Sequence, residues 1–199
     1  MDVILDVDPG VDDAMAILLA LSSPELTVLG LTVVSGNVQV ETGIENALRI
    51  LAFAGREDVQ VFRGAGKPIG RESVHATEVH GSSGLGEAVL GPSSRKAQEN
   101  AVGFIVDTLD QKPGEVGLLA VGPLTNLALA EQQFPGILSK AKQIVVMGGA
   151  IEEPGNISPT AEFNFFVDPE AARIVIHAKA QVVVVPLDVT QRIGIDREE

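Results

Sequence analysis

The sequence predicts the α/β class: an open, mostly parallel sheet with helices on both faces, three layers in all. Three observations predict it. Short β-branched apolar runs alternate with longer segments of helical period, as in successive β-α-β units. Polar clusters follow the apolar runs, on the side where parallel sheets take ligands. The 199 residues show neither internal repeat nor composition shift, so residues 1–199 are expected to form a single domain.

The elements follow in order. The run Val3-Ile4-Leu5 with Val7 predicts a strand over 3–7, after which Pro9-Gly10 folds the chain sharply into a helix over 12–21. A β-branched run predicts a strand over 27–34, stopped by Ser35-Gly36-Asn37. The helix over 41–54 carries Ile44, Ala47, Leu48 and Leu51 on one stripe, with Glu41, Glu45 and Arg49 off it. A short strand over 59–62 precedes a segment from Arg63 to Asn100 that has seven glycines, two of the three histidines and little period. So long an irregular stretch predicts a functional flap near the site. Beyond it the pattern resumes: helix 97–109, strand 116–121, helix 124–133, strand 143–147, helix 169–178 and strand 181–187. Asp6 and Asp8, Ser35-Gly36-Asn37, Gly122 to Asn126, Gly148-Gly149 and Asp188 then meet on one rim, the carboxyl-end crevice of a Rossmann-like sheet.

Composition excludes several function classes. With no cysteine there is no disulfide, no thiolate metal site and no cysteine nucleophile. The formal charge of −13 argues against nucleic acid and anionic membrane as partners. The longest apolar run, Ala14 to Leu21, is far short of the ~20 residues of a spanning helix. The start Met-Asp-Val-Ile-Leu-Asp has no basic segment of a secretory signal, so a cytoplasmic protein is expected.

Charge is uneven: residues 1–48 hold eight acids and no Lys or Arg. Four of the acids, Asp6, Asp8, Asp12 and Asp13, fall within eight residues at the first strand-to-helix turn. Such a density repels itself unless a cation binds, and hard divalent ions prefer oxygen ligands, so calcium or magnesium is the natural occupant. A helix N-cap would account for one aspartate and leave three unexplained.

The Asp6-Val7-Asp8-Pro9-Gly10-Val11-Asp12-Asp13 opening resembles that of the nucleoside hydrolases, the inosine-uridine type N-ribohydrolases. Further matching motifs are Ser35-Gly36-Asn37, His80-Gly81 with Gly84-Leu85-Gly86, Val121 to Asn126, Met147-Gly148-Gly149, Gly155-Asn156, Ala161-Glu162-Phe163-Asn164 and Asp168-Pro169-Glu170-Ala171-Ala172. The resemblance implies the nucleoside hydrolase fold and the calcium-dependent hydrolysis of ribonucleosides to ribose and free base. By that resemblance Asp8, Asp13 and the Thr125 carbonyl would hold calcium, with Asp6 behind them, and Asp8 would be general base on a calcium-bound water. Asp12, Asn37, Asn156, Glu162 and Asn164 would bind the ribose, Met147 would pack against it, and His80 would lie near the base. The family also implies a homodimer or homotetramer, and a longer chain that supplies another aspartate ligand and, in many members, an adjacent histidine. Here Ser83 stands where an aspartate is common.

The chemistry suits these residue types. An oxocarbenium-like sugar needs an activated water on the face opposite the leaving base, and amides and carboxylates match vicinal hydroxyls. Simpler readings stand beside each residue. Asn37 completes a Gly-Asn turn, Asn156 is ordinary in a loop, and Met147 read alone is core. Glu162 and Asn164 flank Phe163 and would point the same way if extended. His75 is expected to face solvent, and neither it nor His177 receives a role. Two other functions compete: a ribose- and metal-binding module without turnover, and a haloacid-dehalogenase-type phosphatase with Asp6 as nucleophile. The latter lacks a threonine or serine two residues beyond Asp8.

Overall fold

The structure, a computed structural model, describes residues 1–194. Six strands form one sheet: β1 (Asp2–Val7), β2 (Thr27–Val33), β3 (Gln60–Arg63), β4 (Val116–Ala120), β5 (Gln143–Met147) and β6 (Val182–Val185). Their order is β3-β2-β1-β4-β5-β6, and every pairing is parallel rather than mostly so.

The helices are α1 (Val11–Ser22), α2 (Val40–Phe53), α3 (Thr77–His80), α4 (Ala101–Gln111), α5 (Thr125–Gln133), α6 (Phe163–Val167), α7 (Pro169–His177) and α8 (Leu187–Thr190). Alternation along β1 divides the core. Val3, Leu5 and Val7 pack with Ile17 of α1 and Ala47, Ile50 and Leu51 of α2. Ile4 faces the other way, toward Ile105 of α4, Leu127 of α5 and Val175 of α7. These two apolar layers, each worth about 25 cal/mol per Å² of surface removed from water, hold the helices on both faces. Among the described residues no helix is long and apolar enough to cross a membrane.

Several boundaries differ from expectation. Residues 97–100 do not join α4: Gln98 donates its N–H to Val61 O and accepts from Arg63 N–H, lengthening the sheet edge by one bridge beside Phe62. Asn100, at φ 68°, then caps α4 by accepting from Gly103 N–H. Strand β6 ends at Val185, because residues 187–190 turn into α8. Tails 195–199 lie outside the described residues.

The strand order reverses direction at β1. From β1 the chain steps outward to β2 and β3, then returns to lay β4 on the other side of β1. The carboxyl ends of β1 and β4 therefore bound the crevice where such sheets bind ligands.

Candidate functional site

The site is built first from the turn after β1. Gly10 caps α1, and Asp13, in the first turn, accepts Gly10 N–H at Oδ2 and Asp8 N–H at Oδ1, both at 3.1 Å. Negative groups are favoured there, where free N–H groups concentrate positive potential. Asn37, in the loop after β2, donates its backbone N–H to Asp8 Oδ2 at 2.6 Å and its Nδ2 to Asp13 Oδ2 at 3.1 Å. Asp8 Oδ1 has no hydrogen-bond partner.

Two glycines make this packing possible. A Cβ on Gly36 would stand 2.1 Å from Asp8 Oδ2, and one on Gly122 would stand 2.7 Å from Asp8 Oδ1. The carboxylate is thus gripped between the loops that leave β2 and β4. Asp6 lies beneath, on the Ile4 side of β1, where its Oδ1 accepts from Thr32 Oγ1 at 2.5 Å and from Asn126 Nδ2 at 2.8 Å. Asp6 is 1% exposed, its Oδ1 engaged and its Oδ2 without a hydrogen-bond partner. Gly10 stands two residues beyond Asp8, where the phosphatase reading needs a threonine or serine, and this counts against that reading.

Burial governs the charge state of this group. It pushes Asp6 up to about 7, against the hydrogen bonds from Asn126 and Thr32 that pull it down. Burial, then the charge of Asp13, drives Asp8 well above the ordinary carboxylate range. Burial, then the charge of Asp12, pushes Asp13 up to about 7. No Lys, Arg or His among the described residues forms an ion pair with Asp6, Asp8 or Asp13. Acceptor-rich, oxygen-only and lacking a protein countercharge, the group suits a hard cation. Among the described residues no three His, Cys, Asp or Glu side chains are grouped as a metal cluster. Two carboxylates, Asp8 and Asp13, fit the ion with an orphaned oxygen at one of them; carbonyls and water would complete its shell.

Thr125 opens α5 and is 1% exposed. Its hydroxyl donates to Asp168 Oδ2 at 2.7 Å, and the same carboxylate accepts Ile69 N–H and Ala171 N–H. Asp168 thereby ties α5, the start of the flap and the N-terminus of α7 at one buried point.

Above these residues lies a cavity of about 430 Å³, within the usual range for small-molecule sites. Asp12, Asn37 and His80 line one side, and Met147, Asn156, Glu162 and Asn164 line the other. Those are all seven residues that the family resemblance assigned to substrate; Asp6, Asp8, Asp13 and Thr125 lie outside its lining, and among the described residues only Asn37 both lines it and hydrogen-bonds Asp8 and Asp13.

The far wall is not extended. Glu162 caps α6, its Oε1 accepting Asn164 N–H at 2.8 Å and its Oε2 accepting Phe165 N–H and Gly149 N–H. Burial raises its carboxyl pKa, although those three N–H groups pull the other way. Asn164 spends its Nδ2 on the carbonyls of Val121 and Met147, which leaves Oδ1 for a ligand. Asn156 does the opposite, its Oδ1 accepting Phe163 N–H and its Nδ2 remaining to donate.

Four contributors escaped the sequence reading. Thr32 and Asn126 are buried partners of Asp6, and Asp168 is the buried partner of Thr125; Asn126 and Asp168 fall within the matching motifs without a role there, and no local pattern marks Thr32. His75 is half-buried rather than solvent-facing, since Nδ1 meets Gly36 O at 2.8 Å and the ring lines the cavity. Its position in the flap, five residues before His80, was the available signal. Asp188 leaves the site: it holds the loop after β5 by accepting Ile151, Glu152 and Glu153 N–H.

Fold and cavity define an open α/β protein with a small-molecule site at its switch point. Residues 3–199 match the sequence model of the inosine-uridine preferring nucleoside hydrolases, and the chain belongs to that family. It is 44% identical over 198 residues to uridine nucleosidase 1 of Arabidopsis thaliana, covering 98% of this chain and 59% of that protein. It is 42% identical over 191 residues to the pyrimidine-specific ribonucleoside hydrolase RihB of Escherichia coli, covering 96% of this chain and 60% of that protein. Among solved structures it superposes on a purine-preferring ribonucleoside hydrolase from Gardnerella vaginalis with a TM-score of 0.96 at 36% identity, covering 100% of this chain and 64% of that one. The chain spans about 60% of the length of the curated relatives it matches.

Proposed function

We propose that this chain binds ribonucleosides and, with calcium, hydrolyses their N-glycosidic bond to ribose and free base. The observation that carries the reading is a cavity with Asp12, Asn37, Asn156, Glu162 and Asn164 in its lining, joined through Asn37 to a buried carboxylate pair with an unsatisfied oxygen.

In this reading Asn164 Oδ1 and Asn156 Nδ2 offer an acceptor and a donor to the sugar hydroxyls, joined by Asp12, Asn37 and Glu162. Hydrogen bonds to backbone hold the Asn156, Glu162 and Asn164 side chains in place before the ligand arrives, and Asn37 is held by Asp13, which reduces the ordering cost of binding. Met147, fixed beside Asn164, gives the sugar an apolar wall. Asp8 takes a proton from water at its free Oδ1. The water oxygen bonds to C1′ as the bond from C1′ to the base nitrogen breaks; the departing nitrogen takes up a proton from solvent and Asp8 returns its proton to solvent, so that one water is added in sum. Asp8, Asp13 and the Thr125 carbonyl would hold calcium, which supplies positive charge to the buried carboxylates and eases deprotonation of water.

The test is ribose release from uridine, inosine and cytidine in millimolar calcium and in chelator, with Asp8→Ala beside the parent chain. Calcium-dependent release that Asp8→Ala abolishes supports the reading. Saturable nucleoside and calcium binding without release would replace it by the second reading, a ribose-binding module. That reading draws on the finding that no three His, Cys, Asp or Glu side chains group as a metal cluster among the described residues.

A further inference from the structure

We propose that His75 is a specificity-determining residue, presenting a hydrogen-bond acceptor beside a donor on His80 to one edge of the base; this rests on the nucleoside reading above. Two backbone contacts sort the ring nitrogens. His75 Nδ1 lies 2.8 Å from the carbonyl oxygen of Gly36. A carbonyl can only accept, so Nδ1 carries the proton and Nε2 of the neutral ring keeps a lone pair. His80 is the reverse: Val11 N–H donates to its Nδ1 at 3.2 Å, while Asp12 Oδ1 stands 3.7 Å from the same nitrogen, beyond hydrogen-bond reach, so Nδ1 is the acceptor and the proton sits on Nε2. Both rings line the same cavity, and among the described residues neither Nε2 has a protein hydrogen-bond partner.

The two rings are also held in place. Ala76 N–H donates to Asn37 O at 3.0 Å, which fastens the segment carrying His75 to the loop over Asp8. The His80 ring fills the space that a Cβ on Gly10 would occupy, 2.8 Å from Nδ1, and Gly86 N–H bonds to His80 O. The lining of the cavity therefore carries a held acceptor and a held donor, on residues five apart in sequence.

A matching ligand edge has a ring N–H next to a carbonyl. Uracil and hypoxanthine have that edge. Cytosine and adenine present the opposite one, a ring lone pair beside an amino group, which sets lone pair against lone pair at His75 Nε2. A site built on hydrogen bonds rejects the mismatched partner because buried polar groups are left unpaired.

The test is equilibrium titration of the full chain, in calcium, with carbocyclic uridine and carbocyclic cytidine, which lack the ring oxygen and are not hydrolysed. The parent is expected to bind the uridine analogue about tenfold more tightly, the worth of one neutral hydrogen bond. In His75→Ala and in His75→Phe, which keeps ring volume without nitrogens, the ratio is expected to fall to within about threefold. A purely structural role would weaken both ligands equally and leave the ratio unchanged, which would overturn the proposal, as would a parent without preference. Failure of the parent to bind either analogue overturns the nucleoside reading and this inference with it.

Discussion

The acidic floor that lies beneath the cavity, outside its lining, and the flap wall of the cavity are built by different means. On the floor Asp6, Asp8, Asp13 and Thr125 are at most 1% exposed, and each is tied to backbone or to a second buried side chain. The flap wall, around 75–86, is glycine-rich and partly exposed, and a few backbone bonds hold it to the loops beneath, aided by Asn46, which donates to Ser83 O and Pro9 O. Under the proposed function the difference separates two tasks. Groups that handle protons and cations have to be dry and preorganised, because a low dielectric strengthens every charge interaction there. Groups that select a ligand need only a defined edge, so they can sit on a segment whose other residues are free to vary.

That contrast can be broken most sharply at Asp8. Asp8→Ala is expected to lower ribose release about 10²–10⁴-fold, the usual worth of a general base. The same change is expected to abolish the calcium-dependent rise in melting temperature. Retention of either would show that the floor does not work through this carboxylate.

Gly36→Ala comes next. Its Cβ would lie 2.1 Å from Asp8 Oδ2 and 2.7 Å from Pro123 Cδ, neither of which has room to retreat. Overpacking of this kind costs about 1–3 kcal/mol, and denaturant unfolding should show it together with weakened calcium binding. A full-strength calcium response in this variant would mean that the grip on Asp8 is looser than the geometry says.

Asn126→Ala removes the donor to Asp6 Oδ1 and the acceptor of Ala65 N–H. Leaving such groups unpaired is expected to cost about 1–3 kcal/mol in unfolding free energy. Val79→Ser, in the flap, is the matching change on the other side. Val79 is 77% exposed, so its loss is expected to stay within about 0.5 kcal/mol, and a larger shift would show that the flap is part of the folding core.

The smallest effect is expected at Asp188, away from both regions. The N–H groups of Ile151, Glu152 and Glu153 hold its carboxyl below the ordinary value. A depressed folded pKa means stabilisation that is present above the unfolded value and lost as pH falls through the folded one. Hydrogen exchange at 151–153 should therefore accelerate on acidification below that range, and Asp188→Asn should do the same at neutral pH. Protection that is indifferent to both would show that the loop is held by other contacts.

The order of elements was legible because burial on both faces writes continuous β-branched runs into parallel strands and a 3.6-residue stripe into covering helices. Residues 97–100 were not, since apolar period alone does not distinguish the first turn of α4 from an edge segment bridging beside β3. The acidic opening pointed to a cation by its charge density, and the structure shows its Asp6, Asp8 and Asp13 buried together; the residues assigned to ribose by family resemblance do converge on one cavity. What the one-dimensional chain determined, then, was the sheet, its switch point and the identity of the polar groups around it. Tertiary structure decided the rest: that Asp8 is sealed between Gly36 and Gly122, that Glu162 caps a helix while facing the cavity, that Thr32, Asn126 and Asp168 support the floor, and that His75 turns inward. Each of these depends on contacts between residues far apart in sequence, where no local period or propensity carries the information, and only the packing of the strand ends brings donor and acceptor within reach.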